Sequence, residues 1–110
     1  MLCLTSQEMK AVQAFKERLL KKYATEVLTL KLFGSRARGE GDENSDLDIL
    51  VLLKEETSTI RNFTFELAAD IFLEFEIDIS PLVMSQNHFE DMKKRERLLP
   101  QEIERDGKLI

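Results

Sequence analysis

The run Asp46-Leu47-Asp48-Ile49-Leu50-Val51-Leu52-Leu53 constrains this chain more than any other stretch. It reads as a strand over Asp46 to Leu53. The two-residue period of a strand puts both carboxylates on one face, while Leu47, Ile49 and Val51 point to the other. Two negative charges therefore share one patch at the head of a strand whose remaining residues are apolar.

The flanking segments suggest how that strand is embedded. Upstream, Thr5 with Glu8 three residues later forms a capping-box signature, and Met9, Val12, Phe15, Leu19 and Tyr23 recur at helical spacing, so a helix runs from about Ser6 to Lys22. Val27 to Phe33 is apolar, ends at Gly34 and reads as a first strand. Downstream, Thr57 or Ser58 caps a second helix whose apolar stripe is Ile60, Phe63, Leu67, Ile71 and Phe75, widened by Ala68 and Phe72. Glu76 to Val83 then alternates strictly, with Ile77 and Ile79 on one face and Glu76, Asp78 and Ser80 on the other, until Pro81 closes the pairing potential. That is the third strand. Ser85 caps a short helix with Phe89 and Met92, Pro100 breaks the chain, and Gln101 to Arg105 forms a last turn stopped by Asp106-Gly107.

A second helix of about 17 residues covers about 26 Å, close to the length of about eight strand residues. It can return the chain to where the second strand began. A right-handed strand-helix-strand unit would then make the second and third strands parallel. Asp48 and Asp78 would both lie near strand N-termini, with Asp78 on the face of Asp46 and Asp48. Three close carboxylates repel one another unless a cation neutralises them, and a hard divalent ion such as magnesium prefers oxygen ligands and shares its shell with substrate phosphates. The same residues also fit a plainer arrangement, in which Asp46 starts a strand after a turn and Asp48 and Asp78 are simply solvated.

Composition removes several other chemistries. At 110 residues, 43% hydrophobic and 34% charged, the chain is expected to fold as a single domain over 1–110. One cysteine, Cys3, and one histidine, His88, cannot build a zinc site from those residue types, so any metal must be held by oxygen. Cys3 reads as a free thiol near a chain end, and His88 as a solvated or capping residue in the first turn of a helix. The net charge of -5 argues against broad nucleic-acid binding. No apolar run approaches the roughly 20 residues that span a bilayer, so no membrane association and a cytoplasmic location are expected. The run Lys93-Lys94-Arg95-Glu96-Arg97 fits a solvated helix end better than a nucleic-acid surface.

The loop before Asp46 narrows the reading. Gly34 lets backbone amides approach an anion, Ser35 adds a hydroxyl donor, and Arg36 and Arg38 supply charge, which together resemble a phosphate cradle. A P-loop is excluded, because Glu40 and Gly41 stand where Lys-Ser/Thr must follow Gly39. Asp42, Asn44 and Asp46 mimic the first half of an EF-hand, but Leu47 and Leu53 occupy its glycine and bidentate glutamate positions. A glycosidase-like carboxylate pair is disfavoured because neighbouring outward residues of one strand do not flank a scissile bond.

Gly34-Ser35, then Ser45-Asp46-Leu47-Asp48, then Asp78 resembles the signature of the DNA polymerase beta-like nucleotidyltransferase superfamily. The fuller string GSRARGEGDENSDLDILV, with EIDISPLV and the terminal IERDGKLI, is similar to the minimal nucleotidyltransferases (MNT type) found beside HEPN-domain proteins in toxin–antitoxin pairs.

The resemblance implies an α/β (α+β) nucleotidyltransferase fold, a small mixed sheet of about three strands flanked by helices. It implies that Gly34-Ser35 opens a short helix facing the triphosphate of an NTP, with ATP favoured. Ser45 would orient the Asp46 side of the site, and Arg36 and Arg38, Arg38 above all, are candidates for phosphate contacts. In this reading Asp46, Asp48 and Asp78 are both catalytic residues and metal ligands. They hold two Mg2+ ions about 3.5 to 4 Å apart. An acceptor hydroxyl attacks the α-phosphorus, NMP is transferred, most plainly AMP, and Asp78 can take the attacker's proton. The acceptor is expected on a partner, a HEPN-type toxin, because a chain of this length has no second domain to position it. Two other classes of function use the same residues: an antitoxin-like binding module that covers a partner, and a nucleotide sensor that binds without turnover.

Overall fold

Each of the first three helices begins where a hydroxyl can satisfy an orphaned backbone N–H. The computed structural model describes residues 4–39, 45–95 and 98–110. Helix α1 spans Ser6–Tyr23, and Thr5 and Glu8 complete its capping box, the Thr5 Oγ1 accepting from the Glu8 N–H and the Glu8 Oε1 from the Thr5 N–H. Thr57 caps α2 (Ser58–Phe75), and Ser85 caps α3 (Gln86–Lys94), where its hydroxyl accepts from the exposed His88 N–H. Helix α4 spans Leu98–Asp106. Among the described residues no helix is long and apolar enough to cross a membrane. Cys3, the loop residues Glu40, Gly41, Asp42, Glu43 and Asn44, and Glu96 and Arg97 of the basic run lie outside the described residues.

The strands β1 (Val27–Phe33), β2 (Leu47–Leu53), β3 (Ile79–Ser85) and β4 (Lys108–Leu109) form one mixed sheet in the order β3-β2-β1-β4. β2 pairs parallel with β3, in the register Leu47 with Ile79 and Asp48 with Ser80, so α2 does return the chain to the start of β2. β1 pairs antiparallel with β2 and with β4. The fold is therefore α+β with four strands rather than about three. β4 has only two residues, too few to show a period of two in the sequence.

Several boundaries differ from the sequence reading. β2 starts at Leu47 rather than Asp46. Pro81 does not close the pairing: β3 stays in register with β2 through Pro81 to Ser85, and as an edge strand it tolerates the missing N–H. β3 starts at Ile79, not Glu76, because Glu76 ends α2 in the left-handed region at φ 58°, its N–H bonded to the Phe72 carbonyl. Pro100 does not break the chain. It lies in the first turn of α4, where a missing N–H costs no helical hydrogen bond.

The sheet has an apolar layer on each face. Toward α1 and α2, Leu47, Ile49, Val51 and Leu53 pack with Phe15, Leu19, Leu67 and Ile71. Toward α3 and α4, Leu50 and Leu52 pack with Met84, Phe89 and Ile103. Asp46 and Asp48 have the parity of Leu50 and Leu52, so they occupy the second face ahead of the part those helices cover.

Candidate active site

The head of β2 carries the site. Asp46 is exposed just ahead of β2, Asp48 is half-buried as the strand's second residue, and Asp78 is exposed just ahead of β3. The Leu47 N–H donates to the Asp78 carbonyl at 3.0 Å, extending the parallel pairing by one residue and setting Asp78 beside the start of β2. Alternation then gives Asp46, Asp48 and Asp78 one face, which Ser80 shares as the cross-strand partner of Asp48. Alternation in the sequence puts Ser80 on the face of Asp78; its pairing with Asp48 comes from the register of the two strands.

Gly34 closes the opposite side of Asp48. It has φ 78°, and a Cβ built on it would run into Asp48 Oδ2. The backbone conformation therefore calls for glycine, and any side chain there would push the Asp48 carboxylate out of its place. The Gly34 carbonyl accepts from the Ala37 and Arg38 N–H groups at 3.2 and 3.3 Å, and the Gly39 N–H donates to the Arg36 carbonyl at 3.3 Å. This winds residues 35–39 into a hydrogen-bonded turn where the resemblance implied a short helix.

Burial pushes the Asp48 carboxyl above the ordinary aspartate range, and the neighbouring Asp46 charge pushes it the same way. A carboxylate so placed is one whose charged form a cation would favour. The available donors are oxygens, which suits a hard divalent ion. Among the described residues, no three His, Cys, Asp or Glu side chains are gathered closely enough to hold an ion as they stand. Asp46 and Asp78 are exposed, however, and rotation about their side-chain bonds can bring their carboxylates in. The donor set fits.

The two arginines of the loop separate. Arg36 is only 4% exposed, and both Nη atoms donate to Glu8 at 2.6 Å, with a longer contact of 3.4 Å from Nη1 to the Ser45 carbonyl. Its charge is engaged inside the protein, which removes the ground for expecting it at phosphate. Arg38 is exposed, and its guanidinium lies 4.0 Å from Asp106 at the end of α4. Glu8 escaped the sequence reading because the capping box already accounted for it. Burial pushes its carboxyl upward, but the Arg36 and Thr5 hydrogen bonds outweigh this and hold it below the usual glutamate range. In the basic run, Lys93 pairs with Glu104 at 2.8 Å and Arg95 with Asp91 at 3.2 Å, as expected of a solvated helix end.

Comparison with known proteins identifies the family and the fold. Residues 16–110 match the family described as Polymerase beta, Nucleotidyltransferase. The chain is 32% identical over 82 residues to MJ0604 of Methanocaldococcus jannaschii, a candidate protein adenylyltransferase, covering 74% of this chain and 78% of that one. It is 43% identical over 53 residues to MJ0141 of the same organism, also named a candidate protein adenylyltransferase, covering 47% of this chain and 54% of the relative. That match thus spans about half the length of MJ0141. Among solved structures, a candidate minimal nucleotidyltransferase superposes with a TM-score of 0.59 at 22% identity, covering 98% of this chain and 99% of that one. A toxin–antitoxin crystal structure with AMP-PNP gives 0.59 at 22% identity, covering 96% and 72%. These likenesses show a shared fold. With the match over residues 16–110 and the identity to MJ0604, the chain belongs to the polymerase beta nucleotidyltransferase family.

Proposed function

We propose that this nucleotidyltransferase moves AMP from ATP to a hydroxyl of a partner protein, in a reaction that depends on magnesium. The observation that carries the reading is the close approach of Gly34 to Asp48, which sets a glycine turn suited to phosphate beside a half-buried carboxylate. The names of MJ0604 and MJ0141 as protein adenylyltransferases support ATP as donor and protein as acceptor. The similarity of the sequence to minimal nucleotidyltransferases points to a HEPN-type protein as that acceptor.

Asp46, Asp48 and Asp78 would hold two Mg2+ ions. Bound there, the ions would neutralise the triphosphate and stabilise charge on the attacking and leaving oxygens. Gly34 and Ser35, at the mouth of the turn, would offer their backbone N–H groups and the Ser35 hydroxyl to the β- and γ-phosphates; the Ala37, Arg38 and Gly39 N–H groups are used within the turn. Arg38, at the solvent side of the turn, adds a positive charge. Ser45 fixes the backbone that carries Asp46. The acceptor oxygen forms a bond to the α-phosphorus as the bond from that phosphorus to pyrophosphate breaks, and Asp78 takes the proton of the acceptor hydroxyl. General-base assistance of this kind is worth about 10²- to 10⁴-fold.

The test is incubation with magnesium and ATP labelled at either the α- or the γ-phosphate, in the presence of a purified HEPN-type partner or total RNA. Label from the α-position should enter the partner protein. Label entering RNA alone, or label from the γ-position entering protein, would refute the proposal.

A further inference from the structure

We infer that Glu8, acting through Arg36, is a positioning residue for the nucleotide site: the pair fixes both ends of the loop between β1 and β2 and so sets the backbone that carries Asp46. The inference rests on the proposed magnesium–nucleotide site and adds to it a residue outside the loop. Glu8 also lies ahead of residues 16–110, the part that matches the family.

The geometry is that of a clamp. Glu8 is 2% exposed and Arg36 4%, and the two share a forked pair of 2.6 Å hydrogen bonds. A forked guanidinium–carboxylate contact fixes orientation as well as distance. On one side Glu8 is itself anchored, its Oε1 also accepting the Thr5 N–H at 2.8 Å at the start of α1. That helix is held to the core by Ala11, Val12, Phe15 and Leu19. On the other side, the Arg36 Nη1 reaches the Ser45 carbonyl at 3.4 Å. Arg36 follows Gly34-Ser35, and Ser45 immediately precedes Asp46, so one guanidinium ties the phosphate turn to the acidic strand.

A buried ion pair is a poor source of stability, because desolvating two charges offsets most of their attraction. Apolar side chains would fill the same space at similar stability. They would not hold the Ser45 carbonyl in register with the turn after Gly34. The pair therefore has its consequence in the placement of the loop, and phosphoryl-transfer sites are sensitive to placement on the scale of 1 Å.

The experiment is calorimetric titration with ATP at saturating Mg2+, and with Mg2+ at fixed ATP, on four proteins: the wild type, Glu8→Gln/Arg36→Met, Arg36→Lys and Val12→Ala. In the double variant the glutamine retains a carbonyl oxygen for the Thr5 N–H, and the two charges of the Glu8–Arg36 pair are removed together. Its melting temperature should stay within about 5 °C of the wild type, yet its dissociation constants for ATP and Mg2+ should rise at least about tenfold. Arg36→Lys keeps the charge without the fork and should fall between the two. Val12→Ala removes core volume one turn along the same helix and takes no hydrogen bond from the pair; measured below its melting temperature, it should bind as the wild type does. Wild-type affinities in the double variant, or in Arg36→Lys if the double variant does not fold, would overturn the inference and leave the proposed function standing. Absence of Mg2+-dependent ATP binding by the wild type would overturn both.

Discussion

On the side of β2 that meets α1 and α2, Leu47, Ile49, Val51 and Leu53 make an unbroken buried row, whereas the other side passes from Asp46 and Asp48 to Leu50 and Leu52, and only the last two are buried. One strand thus has a face committed to the core and a face divided between core and chemistry. The division falls where α3 and α4 stop covering the sheet. The apolar row needs nothing from the aspartates, and Asp48 gains no stability from lying half-buried beside the charge of Asp46. Fold and site should therefore be separable by substitution, one face at a time.

The largest effect is expected from Asp48→Asn. Transfer should fall by about 10³-fold or more, because a metal ligand that acts on the transition state is lost. The melting temperature without metal should not fall, since a repulsive, partly desolvated charge is removed. A variant that unfolds, or one that transfers AMP at the parental rate, would break the comparison. On the opposite face Ile49→Ala should do the reverse. It should cost about 2 to 5 kcal/mol of stability through transfer and cavity terms, while its affinity for MgATP, measured below the melting transition, stays at the wild-type level. Denaturant unfolding and calorimetry check the two halves of that statement. Gly34→Ala belongs to neither class alone. The positive φ is unfavourable to alanine and the new Cβ meets Asp48 Oδ2, so we expect a loss of about 1 to 3 kcal/mol in denaturant unfolding together with weaker MgATP binding.

The smallest effect sharpens the electrostatic side. The carboxyl of Asp48 is raised by burial first and by Asp46 second. A carboxyl raised in the folded state contributes stability below its unfolded pKa, and that contribution is lost as pH rises through the raised value. The metal-free wild type should thus fall behind Asp48→Asn as pH climbs above the ordinary aspartate range, and the two should converge in acid. Melting curves across that window measure the gap. A gap that widens toward acid would contradict the assignment.

Much of this was legible in the residues because periodicity reports directly on which face a side chain takes. The bounds of β1, the parity of Asp46, Asp48 and Asp78, the caps at Thr5, Thr57 and Ser85, and the parallel return through α2 all follow from spacing and short polar side chains. What escaped depends on tertiary contact. β4 forms only because Lys108 and Leu109 find β1, and Glu76 ends α2 in a left-handed conformation that no glycine announces. Helix α4 starts before Pro100 instead of after it. Glu8 and Arg36 are 28 residues apart, and each had a sufficient local explanation, one as a capping residue and the other as a phosphate contact. A local pattern that already accounts for a residue hides its distant partner.

The central claim is that the acidic half of the β2 face is a magnesium–nucleotide site. Titration of the wild type with ATP, followed by calorimetry with and without Mg2+, tests it most directly. The account predicts binding that requires Mg2+ and is lost in Asp48→Asn. Binding that is equally strong without the metal, or that survives Asp48→Asn unchanged, would contradict it.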